Sequence, residues 1–525
     1  MFFARPCFNL IYVTTTFYAI GFVPADAQGP DRYNNISHIE SSNQTPLTNP
    51  DDFETLLFAN DGEDGDLFGR SVSYSGNRVL VGASRDDDSG DASGSAYIFV
   101  RKDDSWTQEA KLVADDGAEF DLFGHAVSLH GDRALVGAHS DDDGGERSGS
   151  AYVFSRVGSQ WVQEAKLSAS DATEGDAFGW SVSLFGDRAL VGAYDAEGGG
   201  AAYVFARVGS GWTQEAKLVA TDASPNDRFG RSVSLWDGRA LIGADFDSAG
   251  SAYVFARAGG GWIQEAKLVS SDGESADFFG GSVSISETRA LVGATGDKEG
   301  DGPRRGAAYV FVRNGPSWTQ ETKLSAGDSQ SFGSSVSLLG GYALVGAPLS
   351  SSDNLFSGSA YLFARSETEW LQESRFTSQK TASRDFFGSA VSLSENRAIV
   401  GLGDPTLLSA FKDTDGGTDG TPAYIFAFAG STEVNSGPDD SDALSPAVPN
   451  PTARYSKFFL TLESPQSVRV TLSDARGREV SDLFRGLAMG EMQIDVDVSG
   501  LTPGVYVVRV EGETFAESRT VTVVR

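Results

Sequence analysis

The sequence predicts an all-β chain: a seven-bladed β-propeller of four-stranded blades, closed by an N-terminal strand and followed by a small Ig-like β-sandwich. Three observations carry that expectation. The pair Phe-Gly recurs at Phe68-Gly69, Phe123-Gly124, Phe178-Gly179, Phe229-Gly230, Phe279-Gly280, Phe332-Gly333 and Phe387-Gly388, at spacings of 50 to 55 residues. A fixed period of that size marks an array of similar units. Within a unit, SVSLHGDRALVGA reads as a hairpin with alternating apolar positions, SGSAYVFSR as a third strand and WVQEAKLSA as a fourth, and four strands per unit describe a propeller blade. The third observation is at the ends. ETLLFANDGEDGDLFG from Glu54 to Gly69 aligns without a gap on EAKLVADDGAEFDLFG from Glu109 to Gly124, so the array begins with a spare fourth strand, whereas the last unit stops after its third, AYIFAF, at Ala423 to Phe428. Pairing the two would join first and last units and remove an exposed sheet edge.

In chain order, residues 1–27 read as a secretory signal: one cation, Arg5, then an apolar run from Phe8 to Val23 and a small-residue site at Ala25-Asp26-Ala27. Cleavage is expected near Ala27. Cys7, the only cysteine, precedes the apolar run, so the mature chain is expected to hold no disulfide. No later stretch has membrane-spanning length, and no membrane insertion of the mature chain is expected. Residues 28–50 are polar and aperiodic, a linker. The propeller is expected over residues 51–429, a second linker over 430–444 and a separate domain over 445–525.

The repeated apolar residues suit blades stacked face to face. Strands such as SAYIFV and AAYVFA are apolar on both faces, and Trp106, Trp161, Trp212, Trp262, Trp318 and Trp370 open the fourth strands. Seven Phe-Gly motifs, each followed by Val-Gly-Ala or a variant such as Ile242-Gly243-Ala244, resemble the FG-GAP repeats of integrin α-subunit propellers and of many bacterial surface proteins. That resemblance implies a propeller used mostly in adhesion and ligand binding, although such folds also occur in enzymes. Repeats of the integrin type carry a DxDxDG calcium loop between Phe-Gly and Gly-Ala-Pro. Here that segment holds only tight turns such as Phe185-Gly186-Asp187, so the family's calcium ligands have no counterparts.

Acidic residues fall elsewhere. Asp61, Asp116, Asp171, Asp222 and Asp272 stand seven residues before the Phe, and Asp66, Asp121, Asp176, Asp227, Asp277 and Asp385 two before it. A second set, including Asp86 to Asp88 and Asp141 to Asp143, follows Gly-Ala. Up-and-down topology places both on one face, where a strongly negative field is expected. DKEGDG, with Asp297, Glu299 and Asp301, and DTDGGTDG, with Asp413, Asp415 and Asp419, approach calcium-loop spacing, so Ca2+ is the one candidate cofactor. A net charge of −32, with 31 arginines to 10 lysines, suits a secreted chain kept soluble by self-repulsion. It disfavours nucleic acid or an anionic membrane as partner.

Residues 445–525 have another rhythm. KFFLTLE, SVRVTLSD, EMQIDVDVS, VYVVRVE and SRTVTVVR are read as strands of the sandwich. VPNPT at Val448, LSDARGREV at Leu472 and LTPGVYVVRV at Leu501 resemble the sorting domain of the type IX secretion system of Bacteroidota-like bacteria. The resemblance implies export by that machinery and a secreted or outer-surface location.

No Gly-x-Ser-x-Gly elbow, His-Glu-x-x-His, phosphate loop or cysteine cluster is present. A sharper signal comes from comparing the copies, because positions that leave a repeated template are released from structural duty. The residue after Phe-Gly reads Arg70, His125, Trp180, Arg231, Gly281, Ser334 and Ser389; the one after Gly-Ala reads Ser84, His139, Tyr194, Asp245, Thr295 and Pro348. Arg70, His125, His139, Trp180, Tyr194, Arg231 and Asp245 are therefore expected to line a one-sided pocket at the channel mouth, an aromatic and charged surface suited to an extracellular glycan or protein. Two other readings stand beside it. One is a polysaccharide-degrading enzyme with His125 or His139 as acid/base and a metal held by neighbouring acids; the other is a passive surface-layer protein.

Overall fold

The computed structural model describes residues 55–523, apart from 64, 103–104, 299, 301, 328, 352–354, 367–368, 378–383, 395, 404–421, 429–442, 445–454, 475–477, 503 and 512–515. Its elements are all strands; no helix occurs among the described residues. Seven antiparallel four-stranded sheets follow one another along the chain. Blade 2 shows the pattern: Ala126–His130, Arg133–Ala138, Ser150–Val157 and Gln160–Leu167, each strand paired with the next. Blades 1 and 3 to 6 repeat it. In blade 7 the order is Ala390–Ser394, Arg397–Gly401, Ala423–Ala427 and then the N-terminal strand Thr55–Leu57, with Thr55 opposite Ile425 and Leu57 opposite Ala423.

The core lies between blades. Leu80, Ala96, Ile98 and Leu112 of blade 1 pack against Phe123, Val127, Leu129, Tyr152 and Phe154 of blade 2, and equivalent clusters follow at the later boundaries. The Phe of each Phe-Gly is anchored within its own blade, Phe123 lying edge-on to Tyr152 and Phe154 at 5.5 and 5.9 Å. Burying a Phe side chain contributes about 1.5–3 kcal/mol, so seven such anchors are a large share of the fold's apolar stabilisation.

Backbone contact sets how close the blades come. A Cβ on Gly137 of blade 2 would sit 2.0 Å from the Gly179 carbonyl oxygen of blade 3, and the same clash recurs from Gly82 onto Gly124 and from Gly192 onto Gly230. Seven backbone-to-serine bonds cross the seams in register. Leu129, Leu184, Leu235, Ile285, Leu338 and Leu393 donate their N–H to the serine Oγ of the preceding blade, and at the seventh seam Tyr74 N–H donates to Ser392 Oγ at 3.0 Å. That seventh seam has the other features too: Gly401 abuts the Gly69 carbonyl, and Asn60 N–H reaches Gln108 Oε1 as Asp115 N–H reaches Gln163.

The fourth strands of blades 1 to 6 each carry a bulge at the Glu. In blade 3, Ala216 pairs with Val204 and Gln214 with Phe205, which leaves Glu215 out of the ladder. A bulge re-aims a side chain, and here it turns the carboxylate to two arginines of adjacent blades. Glu109 accepts from Arg78 at 2.7 Å and from Arg156 at 3.0 Å, and Trp161 Nε1 donates to it at 3.1 Å. Trp161, Trp262 and Trp370 thus add a hydrogen bond to the apolar contact expected of them, whereas the indole N–H groups of Trp212 and Trp318 have no partner among the described residues. Burial alone would raise the Glu321 carboxyl, but Arg289, Trp370 and Arg365 hold it down at about 2. Between blades 6 and 7 the two arginines are absent, and Tyr342 packs on Phe428 at 5.2 Å instead.

The C-terminal part differs from expectation. KFFLTLE and SVRVTLSD are not two strands but one, Tyr455–Asp474, which pairs with Glu479–Asp497 as a long hairpin. Ser464-Pro465 falls where the register shifts between Leu462 and Gln466, so the proline produces a bulge rather than a chain reversal. The described strands form one five-stranded sheet whose two halves share a core of Phe458, Leu460, Val470, Ile494, Val496, Val508 and Val510. Ala443–Leu444 already belongs to this sheet, two residues before the expected boundary. The expected signal sequence and the first linker lie outside the described residues.

Deleting residues 51–60 removes Thr55–Leu57 and exposes the edge of Ala423–Ala427, an aggregation-prone template. Melting temperature should fall and light scattering rise, whereas truncation from Ala443 onward should leave propeller melting unchanged. Equal melting of the two truncations would contradict the pairing's role.

Candidate functional site

The Phe-Gly pair does more than pack. In blade 2, His125 N–H bonds to the Leu122 carbonyl across Phe123 and Gly124, and Gly124 has φ of 89°. That is a type II turn, whose third position requires positive φ and hence glycine. The same bond recurs from Arg70 to Leu67, Trp180 to Ala177, Arg231 to Arg228, Gly281 to Phe278, Ser334 to Ser331 and Ser389 to Phe386. A second turn leaves the other inner strand, Asp141 N–H bonding to the Ala138 carbonyl, which places His139 just beyond the strand end. Two repeated turns therefore deliver the residues after Phe-Gly and after Gly-Ala to the same end of each blade.

The acids flanking these turns are used by the fold. Lys166 Nζ reaches Asp116 at 2.8 Å, Asp141 at 2.9 Å and also Asp143, while Tyr152 OH donates to Asp141 at 2.7 Å. Lys111 repeats the arrangement with Asp61, Asp86 and Asp88, and Lys323 with Asp272 and Asp297. Asp66, Asp121, Asp176, Asp227 and Asp277 each accept a backbone N–H from three residues earlier. The expected field is thus partly neutralised by one lysine per cluster. Of the calcium candidates only Asp297 is described, and its carboxylate bonds to Tyr309 and Lys323; Glu299, Asp301, Asp413, Asp415 and Asp419 lie outside the described residues. No group of three or more His, Cys, Asp or Glu among the described residues is placed to share a metal ion.

The residues that leave the template come together. The rings of His125 and His139 are 4.3 Å apart, those of His125 and Trp180 4.5 Å, of His139 and Trp180 4.8 Å, and of Trp180 and Tyr194 4.7 Å. Arg231 lays its guanidinium 4.5 Å from the Trp180 ring centre and 5.6 Å from that of Tyr194, with Nε 3.8 Å from Asp245 Oδ2. One connected column thus spans blades 2, 3 and 4. Arg70 of blade 1 joins it through its charge, which acts on both imidazoles. The part-exposed indole of Trp180 has histidine, tyrosine and guanidinium groups beside it. In blades 6 and 7 Ser334 and Ser389 turn back to bond the carbonyls of Ser331 and Phe386, and in blade 5 Gly281 has no side chain.

Three buried polar atoms in this column have no partner: His139 Nδ1, Arg231 Nε and Asp245 Oδ1. His139 and Asp245 are only 4% and 8% exposed. Burial pushes the His139 imidazole down to about 3, helped by Arg147, Arg70 and Arg231; burial, His139 and the same Arg70 and Arg231 lower His125. Burial raises the Asp245 carboxyl despite Arg231 and Arg228. Arg147 and Arg228 were not among the expected site residues. Arg228 stacks 3.8 Å from the Phe246 ring centre and 5.9 Å from that of Tyr194. Its position also varies between copies (Leu67, Leu122, Ala177, Arg228, Phe278, Ser331, Phe386) and has φ of 51° to 62° throughout, so the same comparison of copies would have found it. Asp141, the acid expected to work beside the histidines, is held by Tyr152 and Lys166 instead.

Because the folded state keeps His139 neutral while an unfolded histidine protonates near 6.5, the stabilisation is complete above pH 6.5 and is lost as pH falls towards about 3. Each such group loses about 1.4 kcal/mol per pH unit in that window. Urea midpoints at pH 7.5 and 5.5 should therefore fall less for His139→Phe than for the unsubstituted chain. An equal fall would show that the imidazole titrates normally.

The FG-GAP repeat family pattern matches residues 52–99, 106–154, 161–205, 212–255, 262–311, 318–363 and 370–426. A secretion system C-terminal sorting domain matches residues 447–524. No curated protein matches the chain. Similar solved structures include a fungal alcohol oxidase of the AA5 family in complex with copper, at 12% identity and TM-score 0.45, covering 88% of this chain and 98% of that one. Another is a chain of the mitotic checkpoint complex, at 10% identity and TM-score 0.43, covering 76% and 99%. The sorting domain makes this a secreted or outer-surface protein that engages the type IX machinery, and no described helix is long and apolar enough to cross a membrane. With seven repeats over most of its length, the chain belongs to the FG-GAP repeat family.

Proposed function

We propose that this surface or secreted propeller is a binding protein whose ligand, an extracellular glycan or protein, sits on the column formed by His125, His139, Trp180, Tyr194, Arg231 and Asp245 with Arg70 beside it. The observation that carries the reading is the joining of large polar side chains across three adjacent blades, at positions where blades 5 and 6 have Gly, Ser, Thr or Pro. Leaving buried polar atoms without partners costs roughly 1–3 kcal/mol each. A structure that needed only a packed channel would fill it with apolar residues, as the seams are filled. A ligand that supplies those bonds accounts for the cost.

The chemistry of the column favours binding over turnover. Imidazoles held neutral are poor general acids at neutral pH, and the acid nearest them in sequence serves Lys166 and Tyr152. The test is a double substitution, Trp180→Ala with Arg231→Ala, screened against arrays of glycans and extracellular matrix proteins. The unsubstituted protein should bind at least one array member and the variant should lose that binding by about tenfold or more. Unchanged binding in a variant that melts normally would remove the site.

A further inference from the structure

The charge around the column narrows its ligand. On a chain of net charge −32, the inner ends of blades 1 to 4 gather Arg70, Arg147, Arg228 and Arg231. The first, second and fourth act on His139, and Arg228 shares Tyr194 with Arg231. Among the described residues, Asp245 and the exposed Asp195 beside Tyr194 act on Arg231. Asp245 stands 3.8 Å from Arg231 Nε, beyond hydrogen-bonding distance, so neither group satisfies the other there. Trp180 and Tyr194 lie 4.5 and 5.6 Å from the guanidinium carbon and, with their own ring centres 4.7 Å apart, both stand on one side of it, so the rings hold the group from that side. A held guanidinium edge is the group best matched to a two-oxygen anion. A neutral imidazole adds one N–H donor without competing charge.

Resting on the binding reading above, we propose that the column takes an oxyanion carried on a polysaccharide, a uronate carboxylate or a sulfate ester, with Arg231 as the principal contact and His139 and Arg70 beside it. A neutral sugar would offer the Arg231 guanidinium no countercharge at hydrogen-bonding distance, and Asp245 stands 3.8 Å away. The small residues Gly281, Ser334 and Ser389 on blades 5 to 7 take little of the space the rest of the chain would need. Trp180 and Tyr194 act as positioning residues for the guanidinium rather than as the sugar platform.

The test is calorimetric titration of the full chain with an acidic peptide and with three oligosaccharide probes of similar length: oligouronate from alginate, oligosaccharide from a sulfated galactan, and neutral dextran. Binding of the uronate or the sulfate probe, weakening as salt rises from 50 to 300 mM and falling by about tenfold or more in Arg231→Gln, is the expected result. Which of the two binds identifies the anion. Arg231→Lys should recover only part of the affinity, because a lysine keeps the charge but not the two-pronged edge. Thermal melting of both variants controls for misfolding. Three results would overturn the proposal: dextran binding as tightly as the acidic probes, no binding of either acidic probe, or loss in Arg231→Gln of an acidic peptide alone. The first and third would leave the binding reading standing, since Trp180→Ala with Arg231→Ala would still abolish capture of the neutral sugar or the peptide.

Discussion

The approach of one backbone to the next is the constraint from which this structure follows. A glycine of the second strand, such as Gly137, lies against the carbonyl of the Phe-Gly glycine of the next blade, and a single methyl there would overlap an oxygen at 2.0 Å. That contact allows the apolar faces of adjacent blades to meet, and the Phe-Gly turn that supplies the carbonyl also directs the following residue to the strand end. Packing and site placement therefore come from one dipeptide. Because the backbone does this work, the side chain after Phe-Gly is free to vary, and it does so from Gly281 to Trp180.

The polar part of the template is equally regular. At five successive seams a bulged glutamate is clamped by arginines from two blades, and at the sixth an aromatic pair stands in for the clamp. At the sixth seam Glu373 keeps the bulged position while Tyr342 and Phe428 stand where the two arginines would be. Much of the chain's acid belongs to such arrangements, including the carboxylates around Lys111, Lys166 and Lys323, where an ammonium ion lies among oxygens. Among the described residues, Arg147, Arg228 and Arg231 near the column belong to neither pattern.

The blades were legible because a period of 50 to 55 residues, four strand segments and complementary chain ends leave little freedom of topology. The site residues were legible for a related reason: seven copies of one template act as an internal comparison, and departures such as Trp180 and Arg231 show against it. Three features were not legible. The bulge that turns Glu109 toward Arg78 and Arg156 shifts register by one residue, which alternation of apolar and polar positions does not reveal. The ring contacts of Trp180 come from His125 and Tyr194, which stand 55 residues before it and 14 after it. In the C-terminal sheet, Ser464-Pro465 reads as a strand end by composition, yet the pairing with Glu479–Asp497 resumes after it.

The central claim is that the glycine contact holds the fold while its neighbour is free for binding, and Gly179 and Trp180 put the two roles side by side. Calorimetric melting of Gly179→Ala and Trp180→Ser tests it directly, serine being the residue at this place in blades 6 and 7. A Cβ on Gly179, where φ is 91°, would lie 2.2 Å from the Ser150 carbonyl oxygen, so adding one methyl should cost about 3 kcal/mol and lower the melting temperature more than removing the entire indole. If Trp180→Ser melts as low as Gly179→Ala or lower, the tryptophan is part of the fold's support and the division of labour is wrong.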